Sequence, residues 1–241
     1  MANKPRVLVG VLPERHGVPT AEIFFDFIAI ATRGHPFVRL PYSRTDLARN
    51  MLAEHLLNEP RCTHLLMLDC DHRHPPDIVE RLRARVEEDP RRLVVAGLAF
   101  RRGVPFDPCM YIADETGNVY VPEQWQPGSL LKVDLVGTAA ILIAREVFER
   151  LSRPWFAFDY SHADEGKWPG EDIWFSRRCM EAGIDIWVDT GVVSPHLIDN
   201  FVDERTFRTH LERTRELQRA LGAPLTEADL APEEVANGSR Y

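Results

Sequence analysis

The strongest constraint in this sequence is the order in which apolar runs, polar turns and amphipathic segments recur through its first hundred residues. Val7-Leu8-Val9-Gly10-Val11-Leu12 is continuously apolar and rich in β-branched residues, the pattern of a strand buried on both faces. A loop with Pro and Gly follows, then Thr20 to Arg33, which reads as a helix. The order returns with a strand at Phe37 to Leu40. Thr45 then suits the N-cap of a helix whose Leu47, Met51, Leu52 and Leu56 share one face. A third round has the apolar strand His64 to Leu68, a polar turn from Asp69 to His74, and Pro75-Pro76 opening a helix with Ile78, Val79, Leu82 and Val86 inward. Leu93 to Gly97 makes a fourth strand. Strands alternating with helices at this spacing predict an α/β domain, a Rossmann-like open sheet with helices on both faces and ligands beyond the carboxyl ends of the strands.

After Arg102 the rhythm changes, so the sheet is expected to be mixed though mostly parallel. Cys109 to Ile112 and Asn118 to Val121 flank Asp114-Glu115-Thr116-Gly117, a hairpin signal, and Leu130 to Leu135 reads as another strand. Ala139 to Ile143, a short helix around Val147, Phe148 and Leu151, an irregular stretch from Ser152 to Gly170 and a helix from Glu171 to Ala182 follow. Gly183 stops that helix, and Ile184 to Val188 is expected to be the last strand. Phe207, Leu211, Leu217 and Leu221 recur at helical spacing in a charged segment. The expected organisation is a catalytic-type domain over 1–202, an amphipathic C-terminal helix over 203–221 that offers a surface for homo-oligomer contact, and a flexible acidic tail over 222–241.

Composition narrows the partners. Lys plus Arg number 29 against 37 Asp plus Glu, a formal charge of −8, so there is no electrostatic case for nucleic acid and an anionic ligand must be held locally. The longest apolar segment, Ile23 to Ala31, is interrupted by Asp26 and falls short of the roughly 20 residues of a membrane span. Cys62, Cys70, Cys109 and Cys179 form no C-x-x-C pair; with no segment read as a signal peptide, a cytoplasmic location with free thiols is expected.

The most informative chemistry is Asp69-Cys70-Asp71, where an apolar strand ends in two carboxylates two residues apart. Alternation along extended chain aims both at the same side. Such a pair suits a hard divalent cation, which can in turn bridge the phosphates of a nucleotide; a solvated acidic turn is the plainer reading. His72 and His74, on the same turn and near the two acids, are expected to be exposed rather than to ligate a metal. Glu171-Asp172 opens a helix after Gly170, where the dipole favours carboxylates and where one of them can also serve as a general base. Arg101 and Arg102 follow the fourth strand and can meet a diphosphate, or form surface ion pairs. Arg49 and Asn50 lie off the apolar face of their helix. Gly137-Thr138 permits close approach of backbone to ligand, or a bend. Trp155, Phe156, Phe158, Tyr160 and Trp168 crowd one loop, to bind a sugar face, to fill the core or to meet a second subunit.

Taken in order, the first strand, Ala48-Arg49-Asn50, Asp69-Cys70-Asp71, Val136-Gly137-Thr138, Trp168 to Asp172 and His196 resemble the GT-A superfamily of nucleotide-sugar-dependent glycosyltransferases, over roughly Val7 to His196. The resemblance implies a metal-dependent transfer from a nucleotide diphosphate sugar to an acceptor that is a glycan, a protein or a small molecule. It implies Asp69 at the nucleotide ribose, with Arg49, Asn50, Gly137, Thr138 and Arg101 as further nucleotide contacts. Asp71, Asp69 and His196 would hold Mn2+ or Mg2+. Asp172 would be the base and Glu171 an acceptor or sugar contact, with the inverting course favoured; Trp155, Tyr160 and Trp168 would meet the acceptor. A metal-dependent nucleotidyltransferase is one alternative, against which Pro13-Glu14-Arg15-His16-Gly17 is a poor Gly-rich phosphate loop. A non-catalytic nucleotide-binding or assembly module is the other.

Overall fold

The computed structural model describes residues 4–12, 20–114, 119–161, 169–198 and 201–221. The first half of the chain runs β1 (Val7–Leu12), α1 (Ala21–Ala31), β2 (Phe37–Arg39), α2 (Thr45–Asn58), β3 (His64–Asp69), α3 (Ile78–Glu88) and β4 (Val94–Ala99). Then come β5 (Met110–Ala113), β6 (Val119–Tyr120), β7 (Leu130–Val133), β8 (Leu135–Val136), β9 (Ala140–Ala144), α4 (Arg145–Arg150) and α5 (Glu171–Glu181). The chain continues with β10 (Ile186–Ser194), β11 (His196–Leu197), β12 (Phe201–Val202) and α6 (Glu204–Leu221).

Seven strands form the main sheet in the order β2-β1-β3-β9-β4-β10-β7. β1 is parallel to β2 and β3, and β4 is parallel to β10. β9 lies antiparallel between β3 and β4, and β7 is antiparallel to β10 at the edge. The sheet is therefore mixed and mostly parallel. Alternation along its strands feeds two cores. Leu8, Leu12, Leu65 and Met67 pack with Leu52 and Leu56 of α2 and Phe175 of α5 on one face. Val7, Val9, Leu66 and Leu68 pack with Ile23 and Phe27 of α1 and Leu82 and Val86 of α3 on the other. Thr20 caps α1, its hydroxyl accepting from the Ile23 amide at 3.3 Å.

Four expectations are corrected. Arg44, not Thr45, is the N-cap residue of α2, and the helix is rotated: Leu47 and Met51 are exposed while Leu52, Leu56 and Arg49 face inward. Leu130 to Leu135 splits at Asp134, whose carboxylate accepts from the Ala113 amide at 2.7 Å, so β7 joins the main sheet and β8 pairs with β5. Ile184 to Val188 is not the last strand. β10 runs on to Ser194 through an irregularity between Asp189 and Val193, and the pair β11–β12 follows. The aromatic loop is partly core: Trp155 is buried with its indole N–H donating to the Phe148 and Leu151 carbonyls, and Phe156 stacks on Phe175 at 4.7 Å.

Phe207 of α6 is buried against Phe100 and Trp125, so this face of the helix packs within the chain. The expected turn Asp114-Glu115-Thr116-Gly117, but for Asp114, and the tail beyond 221 lie outside the described residues. All four cysteines are free thiols, and no helix among the described residues is long and apolar enough to cross a membrane.

Candidate active site at the carboxyl edge of the sheet

β1 and β3 end at one edge, and the turn after β3 folds back along β11. His72 and His196 form an antiparallel bridge, flanked by Arg73 N–H donating to the Pro195 carbonyl at 2.9 Å and Leu197 N–H donating to the Asp71 carbonyl at 2.8 Å. This backbone pairing brings Asp71, His72 and His196 together. The Asp71 carboxylate is almost buried. One oxygen lies 2.8 Å from His72 Nδ1, and the other lies 3.0 Å from His196 Nε2 and 3.3 Å from Arg102 Nη2. Burial alone would raise the Asp71 pKa, yet the hydrogen bonds from His196 and His72 hold it well below the usual carboxylate range. His196 Nδ1 sits 2.8 Å from the Phe100 carbonyl, which can only accept; Nδ1 therefore carries a proton, and Nε2 is the nitrogen that faces Asp71. Asp71, His72 and His196 each offer a donor atom, all within 4.8 Å of one another. One carboxylate and two imidazoles fit a divalent metal ion.

Arg49 is the second organising group. Its side chain is 2% exposed. Nη2 donates to both oxygens of Asp69 at 2.9 and 3.0 Å, Nη1 to the Thr138 carbonyl at 3.2 Å and Nε to Glu171 at 3.2 Å. One guanidinium thus ties the ends of β3 and of the β8–β9 connection to the start of α5. Burial raises the Asp69 pKa, and Arg49 opposes that rise. Burial works against charge on Arg49 itself, but Asp69 and Glu171 overcome it, so its pKa is raised.

Asp69, Asp71, His72, Arg102, Glu171 and His196 line a cavity of about 490 Å3 together with Leu12, Tyr42, Ser43, Thr45, Ala48 and Arg49. The Ser43 hydroxyl is buried there without a hydrogen-bond partner among the described residues. Asp172 follows Glu171 in the first turn of α5, its carboxylate accepting from the Ile173 amide at 2.7 Å. Burial, reinforced by Glu171, pushes its pKa up to about 6.

Several expected residues stand elsewhere. Asn50 does not line the cavity: its amide donates to the Asp46 and Phe156 carbonyls and accepts from the Trp155 and Phe156 amides, so it pins the aromatic loop to α2. Gly137 allows close packing against Cys109, whose Cβ would lie 2.7 Å from an added Cβ. Thr138 reaches the site only through the carbonyl that Arg49 binds. Arg102, not Arg101, lines the cavity. Trp155 belongs to the core, Tyr160 is exposed, and Trp168 lies outside the described residues.

Two histidines correct the reading of the turn. His72 and His74 are buried, because the turn is covered by β11 and α1. His74 Nε2 donates to the Asp69 carbonyl at 2.8 Å, and Nδ1 accepts from the Ser194 hydroxyl at 3.0 Å. Burial drops its pKa to about 4, so it is neutral and structural. The signal that could have flagged His72 is its adjacency to Asp71, since no periodicity marks it.

No family model matches the chain, and no curated protein matches it. Solved structures do. A197 from STIV is similar over 80% of this chain and 86% of its own, at 18% identity and a TM-score of 0.57. GalNAc-T7, solved with UDP, GalNAc and Mn2+, is similar over 95% of this chain at 12% identity and a TM-score of 0.50; the chain spans about half, 54%, of that one. The likeness is one of fold: the chain has a GT-A-like α/β fold.

Proposed function

We propose that this protein is a metal-dependent glycosyltransferase that moves a sugar from a nucleotide diphosphate to a hydroxyl of a glycan, protein or small-molecule acceptor. The observation that carries the reading is a cavity lined both by a cation-type donor set, Asp71 with His72 and His196, and by Glu171, the residue before Asp172 at the start of α5. Asp71 and His196 would hold the ion, which when bound would supply positive charge to neutralise a diphosphate. Arg102, already paired with Asp71 at the cavity wall, adds a cationic donor for the same oxygens. Asp69, oriented by Arg49, presents its remaining acceptor capacity to the ribose.

Asp172 is the base. With a pKa of about 6 it is ionised at neutral pH yet basic enough to accept a proton from the acceptor hydroxyl as that oxygen bonds to the anomeric carbon. The nucleotide diphosphate leaves from the opposite face, the inverting course. The catalytic unit is residues 1–202 with the helix 203–221 packed on it, and the four free thiols agree with a cytoplasmic setting. The test is calorimetry of UDP, GDP, CDP and dTDP with Mn2+ and with excess chelator, in wild type and Asp71→Ala. One nucleotide should bind only to wild type with metal. Equal affinity under all conditions would remove metal-dependent donor binding.

A further inference from the structure

We propose that His72, not Asp69, is the third protein ligand of the metal, and that the resulting set of one carboxylate and two imidazoles selects first-row transition ions over Mg2+. The inference rests on the metal-dependent reading above and goes beyond it in naming the ligands and the ion.

Geometry puts Asp69 out of reach of this role. Both of its oxygens accept from Arg49 Nη2 at 2.9 and 3.0 Å, and Arg49, 2% exposed, is itself held by the Thr138 carbonyl and by Glu171. Turning Asp69 to a cation would strip a buried guanidinium of a main counter-charge, a change that costs several kcal/mol when a buried pair is broken. Asp71 has no such tie. The guanidinium beside it, Arg102, is 55% exposed, and so exposed a pair contributes little.

The two rings are set for one ion. The bridge between His72 and His196 stacks them with centroids 3.9 Å apart and planes 24° from parallel. Each ring turns a nitrogen to a different oxygen of the same carboxylate, at 2.8 and 3.0 Å. Because His196 Nδ1 donates to the Phe100 carbonyl, Nε2 is the nitrogen left to face the anionic Asp71 oxygen, an approach that a proton or a cation between them makes favourable. His74, 6.1 Å beyond His72 in the same stack, is excluded because both of its nitrogens are used.

The ion preference follows from donor chemistry. Mg2+ favours an all-oxygen octahedron and keeps its waters, whereas imidazole nitrogen favours first-row transition ions, with affinity rising from Mn2+ to Co2+.

The test uses metals alone on the full chain: titration calorimetry with Mg2+, Mn2+ and Co2+, and pulsed EPR of the Mn2+ form to count directly bound 14N nuclei. Wild type should bind Co2+ more tightly than Mn2+, with Mg2+ weaker than Mn2+ by about 100-fold or more, and should show two nitrogens. His72→Gln should weaken Mn2+ by at least the ~10–100-fold typical of losing even an outer-shell partner, and should show one nitrogen. Asp69→Asn should stay within about threefold of wild type, well inside that range. Mg2+ binding as tightly as Mn2+, or one nitrogen in wild type, overturns the proposal whether or not His72→Gln folds. Loss of Mn2+ binding in Asp69→Asn but not in His72→Gln overturns it and leaves the glycosyltransferase reading standing. Binding of none of the three ions overturns both.

Discussion

Asp172 makes opposite demands on stability and on turnover, and Asp172→Asn separates them. In the folded chain this carboxyl is raised from 3.8 to about 6, chiefly by burial. At ~1.4 kcal/mol per tenfold change in proton affinity, the native state gives up about 3 kcal/mol at pH 7 to keep it ionised. The sign follows from linkage: a carboxyl raised in the native state leaves folding unpenalised below pH 4, and the penalty grows as pH climbs through 6. Asparagine keeps the size and the acceptor for the Ile173 amide, and forfeits ~0.3–1 kcal/mol of helix-dipole attraction. The net expectation at pH 7 is a gain of about 2 kcal/mol, a Tm higher by roughly 4–8 °C for a chain of this size. Below pH 4 the gain should vanish. Turnover should fall by about 10²–10⁴-fold with donor affinity retained, as loss of a general base requires. Melting curves at pH 4, 5, 6 and 7, beside donor hydrolysis or transfer per folded molecule, measure both. An Asn variant less stable than wild type at pH 7, or one with near-normal turnover, refutes the reasoning.

Arg49→Met should destabilise the fold by ~3–5 kcal/mol in urea titration, since it leaves Asp69 and Glu171 facing each other without their shared cation. Adding Asp69→Asn and Glu171→Gln should recover most of that loss. Gly137→Ala should cost ~1–3 kcal/mol, because the new methyl meets the Cys109 Cβ at 2.7 Å, and Cys109→Gly should relieve it. Ending the chain at Gly222 should move the Tm by less than ~2 °C, under about 1 kcal/mol for this size, since the acidic tail has little to bury.

Strands β1, β3 and β4 and helices α1 and α3 were legible because their signals are local: continuous apolar runs in the strands, and inward Ile78, Val79, Leu82 and Val86 at helical spacing in α3. What sequence could not show was decided by partners far along the chain. Arg49 read as off the buried face because nothing near it announces Asp69, 20 residues on, or Glu171, 122 residues on. Trp155 and Phe156 read equally as ligand contacts or core until Asn50, more than 100 residues earlier, is seen to bind both their amides. The exposure expected of His72 failed for the same reason: β11, which covers it, begins 124 positions later. Asp71 and His196 were within reach because the end of an apolar strand is a recognisable place for chemistry.

The reversed strand β9 has a consequence for the newborn chain. It bonds β3 along one side and β4 along the other, so β2-β1-β3 and β4-β10-β7 share no direct edge. Until Ala140–Ala144 has been synthesised, β3 and β4 each present an unpaired and largely apolar border. Such borders are what neighbouring chains add to. Truncated chains ending between Ala99 and Ala139 should therefore clump on themselves or cling to chaperones, whereas those that include Ala144 have the strand that closes both borders.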